Sequence, residues 1–421
     1  MRILLCNKYF FLNGGTEKYL QDLLRQLPVD GHEPIPFSVR YSNSWESPYN
    51  RYFLQPPGSP DEMHYRNVRL GALNWIRYLD RAVYSLEARV RLSKLIADVG
   101  RMDIAYLLNI YNYMSPSIVH TLRHHRIPVV LQLGDYHLVC PSYLLLRNGR
   151  PCTLCVKGSY YHGLRYRCVK NSTVASAVRV AAMTVQRLLR LYQNLDAFVV
   201  PCLFMGSILV QAGFPPSRIH LIPYPVFTSG HSSASPRKNY ILYFGRITYE
   251  KGLDTLIGAY QRAMLAEDLV IMGRSYDGEE ERLRKLIRPE WKDRIRFIGF
   301  KTGEEFSRWV AEALFTVVPS RWYDNAPISI YESMSFETPV LASRIGGTPE
   351  QIVDGITGRL FDPDSEADLC DGLRWMASDR QRLRKMGEAG RAFVLDRHAM
   401  EKHLGQLLDL FRSVIENSRC R

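Results

Sequence analysis

Residues 318–350 read VPSRWYDNAPISIYESMSFETPVLASRIGGTPE. The stretch begins at the end of an apolar run, Leu314–Val318, which reads as a buried strand, and it breaks at Pro319. A helix is expected from Pro327, because proline at the first helical position gives up only an N–H that would have had no intrahelical acceptor. Asp324 stands at the helix entry, and Glu332 follows with seven residues between them. The amides of Ile328 and Ser329 then point at whatever lies above the helix, and such a terminus attracts phosphate. A carboxylate for a sugar hydroxyl, a helix end for phosphate and a second carboxylate for a ribose diol suit a nucleotide that carries a sugar.

Upstream, Tyr240–Phe244 (YILYF) reads as a strand that runs into Gly245-Arg246 and then Glu250-Lys251-Gly252. Two cations beside a helix end can stabilise the charge that develops on a diphosphate leaving group. Apolar runs at 269–273, 295–299 and 314–318 are each followed by a helical pattern, which implies a parallel, doubly wound sheet. The first half repeats the alternation. Arg2–Cys6 is a strand, a helix runs from about Lys18 to Leu27, and further strands are expected at Asp103–Asn109 and Pro128–Leu133. Ser172–Leu191 reads as a helix, and Asp196–Pro201 as the strand that closes this half. Between the first strand and first helix lie Gly14 and Gly15, a pair that lets backbone approach a ligand closely.

Taken together, these segments resemble family 4 of the retaining glycosyltransferases with the GT-B fold. The stretch quoted above is similar to that family's Glu-x7-Glu donor motif, with Asp324 in the first position and Glu332 in the second. Its tail matches the continuation of the motif, with Glu337 where glycine is usual. Gly245-Arg246 and Glu250-Lys251-Gly252 match the family's Gly-Arg and Glu-Lys-Gly. Gln132–Pro141 is similar to a family strand that ends in His-Asp followed by an aromatic and Cys-Pro. Here Gly134 holds the histidine position, Asp135 is retained, and His137 follows three residues after Gly134.

The resemblance implies an α/β protein of two Rossmann-like domains facing across a cleft. Residues 1–221 would form the acceptor domain, 222–239 (rich in Pro, Ser and Gly) a linker, 240–395 the nucleotide-sugar donor domain, and 396–421 a helix crossing back. It further implies donor contacts from Gly14, Gly15, Arg246, Lys251, Ile328, Ser329 and Glu332, with Asp324, Asp135 and His137 as catalytic candidates and the base near Gly299–Glu304. The expected reaction is sugar transfer with retention from a nucleoside diphosphate, uridine by default, with no metal or other cofactor in catalysis. The acceptor would be a glycan or lipid-linked molecule of bacterial envelope synthesis. A protein that binds nucleotide-sugar or glycan without transfer, and an epimerase on the same fold, are the alternatives.

At 421 residues the chain exceeds the size of a single core. No apolar run reaches the roughly 18 residues of a membrane span, and the opening run is too short for a signal peptide, so a cytoplasmic setting is expected. The net charge is +13, and residues 1–200 hold 25 Lys and Arg against 13 Asp and Glu, the remainder 30 against 29. That asymmetry points to an anionic partner. With no nucleic-acid module in the chain, a membrane surface at the inner face ranks first. Two basic stretches have helical spacing, Arg77–Arg81 on to Arg89, Arg91 and Lys94, and Arg179 on to Arg187 and Arg190. A solvated basic face would read the same. Four cysteines cluster at Cys140, Cys152, Cys155 and Cys168, a set that suits a structural zinc loop or free thiols in a reducing compartment. Residues 41–72 read as a long loop, and Asp362-Pro-Asp364 as a turn before a helix.

Overall fold

The computed structural model describes residues 1–56, 81, 84–111, 113–193, 195–226, 236–276 and 278–419. The expected loop from 57 onward, the start of the first basic helix with Arg77, and positions 227–235 of the linker lie outside the described residues.

Two six-stranded parallel sheets carry the chain. The first contains β1 (Arg2–Cys6), β2 (Glu33–Phe37), β3 (Ile104–Leu107) and β4 (Val129–Gln132). A two-residue hairpin follows, β5 (Leu146–Arg147) and β6 (Arg150–Pro151), and the sheet then resumes with β7 (Ala197–Val200) and β8 (Ile219–Leu221). Its strand order is β2-β1-β3-β4-β7-β8. The second sheet is built from β9 (Tyr240–Phe244), β10 (Asp268–Met272), β11 (Ile295–Gly299), β12 (Thr316–Val318), β13 (Val340–Ser343) and β14 (Gly358–Phe361), in the order β11-β10-β9-β12-β13-β14.

The central strands AFVV, VVLQ and YILYF are buried at every residue. That is the pattern of a parallel sheet covered by helices on both faces, and it is why they read as continuous apolar runs rather than alternating ones. The hairpin turn at Asn148-Gly149 has φ of 50° and 77°, the left-handed pair that a two-residue turn requires.

The strand at 197–200 does not close the first sheet; β8 does, paired to it in parallel. Ile219–Leu221 is only three residues long and half-buried to exposed, so neither periodicity nor length marked it. The first helix also starts earlier than expected, at Gly15, and runs to Val29. Its opening turn therefore lies against the glycine pair, at the carboxyl end of β1.

Near the carboxyl end the helix Arg380–His398 covers the helix Ile328–Ser335, with Arg391 donating to the Ser335 carbonyl at 2.6 Å. The last helix, Met400–Arg419, packs on the first sheet. Its Leu404, Leu407 and Phe411 join Ile3, Leu5 and Tyr106 in one buried cluster, and His403 Nε2 meets the Tyr19 hydroxyl at 2.7 Å.

Candidate active site

Both sheets present the carboxyl ends of their strands to a shared cleft, the place where ligands bind in open α/β sheets. On the second lobe, the loop after β12 carries Ser320, Trp322, Tyr323 and Asp324. Asp324 is 3% exposed, accepts from Lys251 Nζ at 2.5 Å and from Ser320 Oγ at 2.9 Å, and so has its buried charge balanced. Lys251 arrives from the turn after β9. Gly252 makes that turn possible: it sits at φ +70°, and a Cβ there would fall 2.0 Å from the Pro319 carbonyl. Two segments are thereby locked together by a cation and a carboxylate 73 positions apart in the chain.

A second glycine pair supports the same loop from below. A Cβ at Gly347 would stand 1.7 Å from the Asn325 carbonyl, and the Gly347 amide donates to the Asp324 carbonyl at 2.8 Å. Pro327 precedes the helix as its cap residue, so the helical turn opens at Ile328. The amides of Ile328 and Ser329 lie in the first turn, where no intrahelical acceptor exists. Both residues are half-buried. Across the cleft Gly15 faces them, its hypothetical Cβ only 3.0 Å from Ile328 Cδ1. Gly14 is in extended backbone, φ −173°, immediately before the first helix.

Glu332 lies one turn further along, half-buried and facing the first-lobe helix, where Lys18 lowers its affinity for a proton and Asp22 raises it. Burial dominates and pushes the carboxyl up to about 7. Arg246 stays 49% exposed toward the cleft, 3.6 Å from Glu250. The four residues from the two donor motifs thus come from neighbouring strand ends, with Lys251 and Asp324 in direct contact.

The first lobe contributes Asp135, next to the exposed Gly134. Burial opposes ionisation of Asp135, but the neighbouring His137 outweighs it and holds the carboxyl below its usual range. His137 does not open into the cleft. It is 7% exposed, stacked between Tyr111 (4.3 Å) and Tyr143 (4.8 Å), and its Nδ1 is hydrogen-bonded to Asp135 Oδ1. Burial lowers its proton affinity in spite of the carboxylate. The ring therefore fixes Asp135 rather than facing the space above Gly134. At Gly134 a Cβ would meet Tyr224 Oη at 3.4 Å and Thr16 Oγ1 at 3.8 Å, ordinary van der Waals contacts.

Several residues that no motif announced also belong here. Lys8 follows β1, and its ammonium, held below its usual value by burial, senses Glu17, Asp135 and Arg246. Its only sequence signal is its position just past a strand end. Asn325 donates from Nδ2 to the Gly134 carbonyl at 2.6 Å, which ties the Asp324 loop to the Asp135 loop. Trp322 is buried in the first lobe's core, edge-on to Tyr136 at 6.5 Å, and Tyr323 packs on Phe204 at 4.8 Å. Glu350 reaches over the same boundary and caps the helix Leu203–Gln211, its two oxygens accepting from the amides of Leu203 (2.7 Å) and Phe204 (2.8 Å).

Cys140, Cys152, Cys155 and Cys168 are free thiols that line one small cavity beside the hairpin. Among the described residues no group of three or more His, Cys, Asp or Glu side chains has the geometry of a metal-ligand set. Asp362-Pro-Asp364 forms a turn, the Asp364 amide donating to Asp362 Oδ1 at 2.9 Å, ahead of a helix capped by Ser365. No helix among the described residues is long and apolar enough to cross a membrane.

Comparison with known proteins gives two family matches, a glycosyl transferase 4-like domain over residues 14–225 and glycosyl transferases group 1 over residues 229–393. An uncharacterised glycosyltransferase of Bacillus subtilis is 23% identical over 305 residues, covering 71% of this chain and 82% of that protein. A GDP-mannose:cellobiosyl-diphosphopolyprenol alpha-mannosyltransferase of Xanthomonas oryzae is 26% identical over 232 residues, covering 53% of this chain and 57% of that protein. Against most of these curated relatives the chain spans less than two thirds of their length, down to 31%. Among solved structures, an Anabaena protein bound to UDP-glucose superposes with a TM-score of 0.66 at 16% identity, covering 98% of this chain and all of that one.

Proposed function

This chain belongs to the glycosyl transferase 4-like and group 1 families, with the GT-B fold, and on that premise we propose a retaining transfer of sugar from a uridine diphosphate donor to a hydroxyl of a glycan or lipid-linked acceptor. One observation carries the reading: Lys251 and Asp324 in contact beneath the amino end of the Ile328–Ser335 helix, with Gly15 closing over it. The pyrophosphate lies between Arg246, Lys251 and the Ile328 and Ser329 amides, the ribose diol donates to Glu332, and the sugar rests near Asp324 and Asp135.

In the reaction the bond from the anomeric carbon to the diphosphate oxygen breaks, and the acceptor oxygen bonds to the same face. The acceptor proton passes to the departing phosphate oxygen. Arg246, Lys251 and the helix amides stabilise the charge left on the diphosphate, a preorganised electrostatic role. Because the leaving group takes the proton, Gly134 in place of histidine is compatible with turnover. His137 then acts as a positioning residue, through Asp135.

The uridine donor follows the Anabaena structure, which holds UDP-glucose; the guanosine donor in the name of the Xanthomonas relative is the competing choice. An anionic membrane surface suits the end of the helix Thr173–Leu188, where Val185, Leu188 and Leu189 are exposed beside the exposed Arg190. Incubation with a panel of UDP-, GDP- and ADP-sugars tests the proposal, with nucleoside diphosphate measured with and without acceptor. Acceptor-dependent release from a UDP-sugar, with the anomeric configuration kept, is expected. Tight binding with no release under any acceptor would favour a non-catalytic sugar-binding protein.

A further inference from the structure

The first lobe has a cavity on the far side of the aromatic stack, where Tyr111, His137, Tyr160, Arg179, Arg187 and Tyr192 form its polar wall. Its cavity volume is about 30 Å³. Both arginines are held in place. Arg179 donates to the His137 carbonyl at 3.0 Å. Arg187 lies 5.9 Å from the Tyr160 ring centre and against Gly158, whose φ of +99° leaves room for the guanidinium where a Cβ would come within 2.1 Å of it.

The chain around them supplies no acid to balance these charges. Between 136 and 195 the chain has nine Lys and Arg and no Asp or Glu. The carboxylate that Arg179 senses is Asp135, which already accepts from His137. The Tyr111 hydroxyl, on a residue 5% exposed, has no hydrogen-bond partner among the described residues. A water molecule would satisfy the hydroxyl but not two guanidinium groups. A phosphate does both, since its oxygens accept from planar guanidinium forks and from a phenol together.

We propose that this cavity is a subsite for a phosphate group carried by the acceptor. The assignment rests on the transferase reading above, in which the acceptor enters by the first lobe, but it concerns residues the donor does not touch. Occupancy would bear on Arg179, which holds the His137 main chain, and so on the setting of Asp135.

The test is calorimetric titration of the full chain, with its donor site filled by saturating UDP, using inorganic phosphate and a short-chain prenyl phosphate at matched ionic strength. Prenyl phosphate is expected to bind at least about tenfold more tightly than inorganic phosphate, and Arg187→Gln to weaken it about tenfold by loss of a bidentate contact. Tyr111→Phe, which keeps the stack on His137, should weaken it severalfold. UDP binding should survive in both variants, so its failure would count against the donor reading and not against this one. Equal affinity for the two phosphates overturns the acceptor assignment. Binding absent from the wild type, or unchanged in both variants, overturns the subsite.

Discussion

Glu332 offers the sharpest test of the donor site, because its carboxyl is pushed up to about 7 by burial in the cleft. A ribose diol donates to a carboxylate, so nucleotide binding favours the ionised form and draws the carboxyl back toward ordinary values. With a free-protein value of about 7, roughly a tenth of the molecules are ionised at pH 6 and roughly nine tenths at pH 8. UDP should therefore bind about tenfold more weakly at pH 6 than at pH 8, equivalent to about 1.4 kcal/mol. The terminal phosphate of UDP, with a second ionisation near about 6, adds a dependence of the same sign, which Glu332→Gln isolates. Calorimetry at pH 6, 7 and 8 on both proteins gives the difference. In the variant only the phosphate dependence should remain, with affinity at pH 8 well below wild type. If wild type and Glu332→Gln showed the same pH profile, the ribose assignment would be wrong. Stability without ligand must follow the opposite course. The folded value exceeds the ordinary value of 4.5, so the native protein keeps a proton that the unfolded chain has released, and stability falls as pH rises from about 4.5 to about 7. Glu332→Gln should flatten that slope in urea titrations.

Lys251→Ala leaves Asp324 buried with Ser320 and the more distant Arg246 to answer its charge, and should cost roughly 3 kcal/mol in urea unfolding; Asp324→Asn in the same chain should recover most of it without restoring transfer. Gly347→Ala drives a Cβ into the backbone carbonyl of Asn325, which cannot rotate away, so about 1–3 kcal/mol of destabilisation is expected together with loss of turnover, read by thermal unfolding and product assay. Glu350→Ala removes the cap shared by two amides across the lobes and should cost about 1 kcal/mol, while Glu350→Gln keeps an acceptor and should cost less. Equal unfolding midpoints for the two Glu350 variants would mean that the carboxylate does not secure the helix it caps.

The donor half was legible because its chemistry is written in local order. Asp324, Pro327 and Glu332 share one strand-to-helix turn, and Lys251 lies seven positions past the end of a strand, so local order together with the family resemblance singled them out. The first lobe resisted for the opposite reason. Trp322 lies in that lobe's core although it belongs to the second, and Asn325 meets Gly134 across 191 positions of chain. Lys8 is a single cation after a strand; the order of strands in the first sheet brings it to Asp135, and only the second lobe brings it Arg246. His137 read as a loop residue able to face the sugar because the sequence does not reveal that Tyr111 and Tyr143 enclose its ring. The early start of the first helix at Gly15 escaped the usual capping signals, since no side chain caps it.

A structure of the protein with UDP bound bears most directly on the whole assignment. The pyrophosphate is expected within hydrogen-bonding distance of Arg246, Lys251 and the Ile328 amide, with the ribose on Glu332. Nucleotide seated anywhere else, or with its phosphates turned away from Lys251, would contradict the claim that these side chains form one donor site.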